Sequence, residues 1–309
     1  MNVIQKTEHN TLANVFVAED ENGRRVEFVE STQPPLKRNE KWVLIISTLF
    51  GCPVGCSFCD AGGAYHGKLS FDQLKFQVDY LVETCFGDKN IDTGKFKIQF
   101  SRMGEPSLNH HVIDFLERIP GLYSYRHFIP SLSTVAPAGT ELFFHRLLKT
   151  KKTLFDNTFQ LQFSVHSTDP RQRRELIPVR SWSYEEMAAY GRTFYTPGGK
   201  KITLNFALGE KSMVDPAVLL RIFDPDTFLV KLTPVNPTHR ARKNKINSVI
   251  STEHPHIPLV DQLQEAGYEV IVSIGEWEEN KIGSNCGQYV NCPDEAYTGE
   301  SYTCRLVRT

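Results

Sequence analysis

Three cysteines stand within eight residues of one another in the stretch FGCPVGCSFCDAGG: Cys52, Cys56 and Cys59, out of seven in a chain of 309 residues. Clustered thiols in an odd total make a poor disulfide framework, so metal binding or redox chemistry is the better reading. Two metal readings fit the residue types. With His66, three thiolates complete a closed zinc site, and the chain would then be a zinc-stabilised binding module without catalysis. Three thiolates can instead hold a 4Fe-4S cluster and leave one iron open to chelate the amino and carboxylate groups of a methionine-derived ligand. A fourth cysteine on the loop would close that position, and the next one is Cys85.

Such a loop needs elements that bring other groups to it. From residue 42 the sequence alternates short β-branched or aromatic runs with longer helical patterns, the signature of βα units around a parallel sheet. Strands are expected at 42–48, 95–101, 127–133, 158–165, 202–207 and 227–234, with a further one at 268–274. Helices are expected at 70–86, capped by Ser70, at 183–194, where Ser183 and Glu186 form a capping box, and at 256–267. The pattern predicts an α/β fold, a partial (β/α)6 TIM-like barrel over 42–275, with a β-hairpin extension over 1–41 and a tail over 276–309 that folds across the barrel mouth. The cysteines directly follow the first barrel strand, at the end where such folds keep their chemistry.

A hydrophobic fraction of 40% supports a large core, and a net charge of -1 argues against broad neutralisation of a long nucleic acid. The first residues lack a signal-peptide pattern and the run WVLIISTLF is too short and broken to span a bilayer, so a cytoplasmic location without membrane association is expected. No internal repeat or low-complexity tract is present.

CxxxCxxC with an aromatic residue, Phe58, before the last cysteine resembles the motif of radical S-adenosylmethionine (SAM) enzymes. Over about residues 15–290 the chain is similar to the RlmN/Cfr type, methyl synthases that modify an adenine ring carbon in ribosomal RNA. SRMGEPSLN (101–109) resembles the family string GMGEPLLN and implies that Gly104 and Glu105 receive the SAM amino group. LSTVAP (132–137) puts Ser133 on a SAM-contacting serine; FSVHSTDPRQRRELIPV (163–179) puts Ser164, Val165 and His166 against the cofactor; TPVNP (233–237) puts Asn236 on a SAM-binding asparagine. GSNCGQYV (283–290) places Cys286 on the cysteine that one SAM methylates and that then offers its methyl group to the radical made from another. VEFVES resembles VETVYIPE and puts Glu27 on the base that takes the ring proton. The implied cofactors are a 4Fe-4S cluster and SAM, and the implied partners are an RNA or nucleotide substrate and a reducing protein such as flavodoxin or ferredoxin.

The chain also departs from the family. Ile45 stands seven residues before the cluster motif, where the family has a second essential cysteine, and Cys292 or Cys304 is the candidate replacement. The family's N-terminal RNA-holding domain has no counterpart before the first strand. Basic residues after the sixth strand (Arg240, Arg242, Lys243, Lys245) and after the fourth (Arg171, Arg173, Arg174, Arg180) could grip phosphates at the mouth or be plain solvated surface. A radical SAM reaction of another type on a small molecule is the alternative enzymatic reading.

Overall fold

In the computed structural model, which describes residues 1–8, 12–31, 36–250, 257–274 and 289–290, the expected strands join one ten-stranded mixed sheet in chain order. Three antiparallel strands open it: β1 (Asn2–Glu8), β2 (Ala13–Glu19) and β3 (Arg25–Ser31). β3 pairs antiparallel with β4 (Lys41–Ile46). The sheet then runs parallel through β5 (Lys95–Phe100), β6 (Phe128–Thr134), β7 (Gln160–Ser164), β8 (Ile202–Leu208), β9 (Phe228–Pro234) and β10 (Val270–Val272). β4 to β10 begin and end within two residues of the strands read from the sequence.

The N-terminal region is where the reading falls short, because β1 was not expected. Its Gln5 is buried and its register shifts between Val3 and Gln5, so the apolar alternation that marks a strand is broken.

The helices between the parallel strands are α1 (Phe71–Phe86), α2 (His111–Leu122), α3 (Glu141–Leu154), α4 (Pro170–Leu176), α5 (Tyr184–Phe194), α6 (Pro216–Ile222), α7 (His239–Lys243) and α8 (Pro258–Glu265). Ser70 with Gln73 and Ser183 with Glu186 close capping boxes on α1 and α5, so each box satisfies two backbone donors that the first turn leaves free. None of the described helices is long and apolar enough to cross a membrane.

The strands put their apolar side against the helices. In β5, KFKIQF, Phe96, Ile98 and Phe100 are fully buried with Leu74, Val78 and Leu81 of α1 and Val112 and Phe115 of α2. Burying each such side chain is worth about 1.5 to 3 kcal/mol. Lys97 and Gln99 therefore face the other way, into a cavity of about 650 Å³ to which all seven parallel strands contribute. The apolar half of the alternation fixes the core; the polar half makes an interior for ligands.

Candidate active site

The cysteine loop leaves β4 at the C-terminal end of the sheet. Gly51 makes the first turn at φ 73, and a Cβ there would lie 1.7 Å from the Ala64 carbonyl oxygen, so only glycine fits. Cys52, Cys56 and Cys59 all line the cavity. Behind Cys52 and Cys56 lies an apolar wall of Val54, Val135 and Ile177.

Two distant segments hold the loop. From one side, Ser57 N–H donates to the Leu176 carbonyl at 2.9 Å. From the other, Asp60 accepts the His239 and Arg240 N–H groups, each at 2.9 Å, and so satisfies the first turn of α7. The α7 segment returns three bonds: Thr238 Oγ1 to the Phe58 carbonyl at 2.8 Å, Arg240 to the Gly55 carbonyl at 2.9 Å, and Asn244 to the Ser57 carbonyl at 2.6 Å. Asp60 and Thr238 escaped the sequence reading, and Arg240 was read there for phosphate contact rather than for this clamp; an acid directly after the third cysteine was the only local signal for it.

Burial pushes the Cys52 and Cys56 thiols up to about 11 and about 12, with the nearby Glu105 carboxylate acting in the same direction. Thiols that hold their protons so strongly need a cation to become thiolates. Among the described residues no three His, Cys, Asp or Glu side chains converge as a single ion requires. A 4Fe-4S cluster binds each thiolate at a different iron, so three separated thiols around a shared, apolar-backed space fit it.

The other strand ends reach the same cavity. Gly104, Glu105, Ser133, Ser164, His166 and Asn236 line it together with the cysteines. Gly104 has φ 97, and a Cβ there would sit 2.5 Å from Leu49 Cβ. Glu105 is 4% exposed, and its carboxylate accepts from Ser107 N and Oγ (3.1 and 2.7 Å), Thr134 Oγ1 (2.5 Å) and Val135 N (2.9 Å). It thereby ties the end of β5 to the end of β6, and burial raises its pKa while these donors pull it down. His166 takes φ 61 at the end of β7, a strained backbone for a non-glycine residue. Its Nδ1 accepts the Ala207 N–H at 3.0 Å, so the ring proton belongs on Nε2, and burial drives its pKa down to about 3. Phe58 stacks edge-on against it at 4.9 Å. The Val165 side chain alone of this set does not line the cavity; it is fully buried in the core.

Glu27 lies on β3 with no exposure. Its Oε2 pairs with Arg102 at 2.5 Å, and its Oε1 accepts the N–H groups of Tyr289 and Val290 at 2.6 and 2.9 Å. A carboxylate held in this way would have to leave these partners before taking a substrate proton. Arg102 occupies the position of the first glycine in the family string GMGEPLLN, so the pair is a feature of this chain. Ile45 packs with Ala13, Val15 and Val29 under Tyr289. Cys286, Cys292 and Cys304 lie outside the described residues.

Two of the basic residues considered for phosphate contact do structural work. Arg173 is buried and donates to the Trp182 and Val135 carbonyls at 2.7 and 3.3 Å, and Arg240 is committed to the cysteine loop.

No family model matches the chain. It is 28% identical over 281 residues to a probable dual-specificity RNA methyltransferase RlmN of Desulfitobacterium hafniense (strain Y51), covering 86% of this chain and 72% of that protein. It is 27% identical over 265 residues to the dual-specificity RNA methyltransferase RlmN of Syntrophobacter fumaroxidans, covering 83% and 71%. A radical SAM methyltransferase from Sphaerobacter thermophilus shares its fold, with a TM-score of 0.65 at 20% identity over 88% of this chain and 76% of that one. The cysteine loop and these relatives liken the chain to radical SAM enzymes. Within that class its likeness is to the RlmN type, and the enzyme is methyltransferase-like.

Proposed function

We propose that the protein methylates an sp2 carbon of a nucleotide base in RNA, through a methyl group carried on Cys286. The reading is carried by the convergence of three thiols and six strand-end residues on one cavity, in a chain whose relatives are named RNA methyltransferases. The sheet is read as a partial (β/α)6 barrel whose mouth is the C-terminal strand end. Cys52, Cys56 and Cys59 would hold a 4Fe-4S cluster, while Gly104, Glu105, Ser133, Ser164, Val165, His166 and Asn236 would surround SAM, Val165 by its backbone. Bound there, the cluster would supply one-electron reduction to SAM, and a flavodoxin- or ferredoxin-type protein would replenish the electron.

An aromatic ring carbon is a poor nucleophile, so direct methyl transfer from a sulfonium is slow. The Cys286 thiolate, a good nucleophile, would first take the methyl group of one SAM in an ordinary displacement that releases S-adenosylhomocysteine. Transfer of a hydrogen atom from that methyl group to the radical derived from a second SAM would leave a carbon radical that can add to the ring, and Cys292 or Cys304 is the candidate to free the product from the Cys286 sulfur. In this reading Glu27 is a positioning residue: paired with Arg102, it holds Tyr289 and Val290, three and four residues after Cys286, beside the mouth. A base for the ring proton would then come from elsewhere or from a Glu27 released by substrate.

Anaerobic reconstitution followed by SAM without reductant tests the reading. One methyl group should appear on the Cys286 peptide by mass spectrometry, and isotopic label should pass to RNA once reductant is added. An unmodified Cys286 in protein with an intact cluster and bound SAM overturns the methyl-carrier step. Colourless protein carrying zinc overturns the whole reading.

A further inference from the structure

Below the cysteines and strand ends, the cavity has a second chemical character. Lys41 opens β4, Lys97 lies in β5 and Lys231 lies in β9, and all three side chains line the same space. None of the three ammonium groups has a hydrogen bond or ion pair among the described residues. Among the described residues Glu105 is the one carboxylate of the lining, and its oxygens already accept four bonds. Arg102, the remaining cation of the lining, is spent on Glu27.

The lysines also stand close enough to disfavour one another's charge. Burial with repulsion from Lys41, Lys231 and Lys200 brings Lys97 down to about 7, and burial with repulsion from Lys41 lowers Lys231. Lysines gathered in one cavity are costly to keep charged, and a bound anion would relieve that cost.

Amides and hydroxyls surround the lysines: Gln99, Ser131, Gln160, Gln162, Thr203 and Asn205. Asn205 is 7% exposed, yet its Oδ1 has no partner, and neither does the Oε1 of Gln99. Buried acceptors left open call for donors on a ligand, as much as the lysines call for an anion.

We propose that the lysine floor of the cavity binds a terminal phosphate of a mononucleotide-sized substrate, whose hydroxyl or amino donors meet Asn205 and Gln99. Lysine suits phosphate as a point charge, whereas carboxylates favour the bidentate fork of an arginine that this lining does not have free. Lys97 lies four residues, about 13 Å of strand, below Ser101 at the mouth. An internal nucleotide of an RNA chain keeps its phosphodiesters at the mouth, so a group that reaches the floor belongs to a free nucleotide or a chain end. The nucleotide identity rests on the proposed reaction; the anion site does not.

The test uses reconstituted, unreduced protein without SAM, so failure of the methyl-transfer reading leaves it intact. Brief acetylation with acetic anhydride, mapped by mass spectrometry, reports the access of each lysine. With pyrophosphate or adenosine 5'-monophosphate at about ten times its dissociation constant, labelling of Lys97 and Lys231 should fall about tenfold while that of exposed Lys152 is unchanged. A thermal shift on adding pyrophosphate should appear in the parent and vanish in a Lys97→Met, Lys231→Met double variant, which loses desolvated charges and so should fold. Equal labelling with and without the phosphates overturns the site. Protection by citrate as strong as by pyrophosphate overturns the phosphate assignment, and protection by end-blocked RNA but not by adenosine 5'-monophosphate overturns the terminal-phosphate assignment.

Discussion

The mouth and the floor of the cavity are built on opposite rules. At the mouth the polar groups traced around the cysteine loop are committed: Asp60 to α7, Glu105 to four donors, His166 to Ala207, Glu27 to Arg102 and the tail. At the floor Lys41, Lys97 and Lys231 stand without partners among the described residues, and Asn205 leaves an acceptor open. Satisfied polar groups rigidify, and rigid placement is what a reactive cofactor needs. Unsatisfied ones are held at a cost that a ligand relieves, which is what a substrate pocket can use. Position is built into the mouth, and affinity is kept in reserve at the floor.

The contrast can be broken at several points. Cys56→Ala should eliminate the cluster altogether, measured as iron and sulfide content after reconstitution, because no other described cysteine lines the cavity besides Cys52 and Cys59. Arg102→Met should cost about 3 to 5 kcal/mol in denaturant unfolding, since it leaves the Glu27 carboxylate buried beside two N–H groups alone. A Glu27→Gln change in the same protein should restore part of that loss, and an unchanged midpoint in the single variant would show that the pair does not anchor the mouth.

Acid and base should separate the two regions more finely. Lys97 is lowered from 10.5 to about 7, so the folded state prefers it neutral. Stability linked to it is present above about pH 10.5 and is lost as pH falls towards 7. Lys97→Met should flatten that slope, and pyrophosphate should offset the loss at neutral pH in the parent only. The groups that set the effect are Lys41, Lys231 and Lys200, so Lys231→Met should reduce the slope without removing it. At the mouth His166, lowered from 6.5 to about 3, holds its stability above pH 6.5 and loses it as pH falls towards 3. His166→Asn, whose side chain tolerates positive φ, should remove that acid limb. The smallest effect is expected from Thr238→Ala, about 1 kcal/mol in thermal unfolding, through loss of the α7 cap and its bond to Phe58.

How much of this was legible in the sequence depended on how local each signal was. The cysteine motif, the two capping boxes and the seven parallel strands are local patterns, and each strand was placed within two residues. β1 was missed because Gln5 sits where the pattern calls for an apolar residue. The alternation in KFKIQF announced a strand but not its orientation, since a polar residue opposite an apolar face reads as solvent-facing until a closed cavity is found behind it. The partners of Glu27 lay out of reach for another reason. Arg102 is 75 residues away and Tyr289 is 262, and no spacing rule connects them.

The clamp on the cysteine loop has a consequence in time. Its bonds join residues 179 to 187 apart in the chain, from Phe58, Asp60, Ser57 and Gly55 to the α7 segment. During synthesis the three thiols leave the ribosome long before the helix that fixes their loop exists. At about 5 to 20 residues per second the interval is roughly 10 to 40 s. Through that interval the nascent chain carries its most oxidisable groups on an unfastened segment. Iron and sulfide delivered before α7 emerges would meet a loop free to open, and delivery afterwards would meet one already latched.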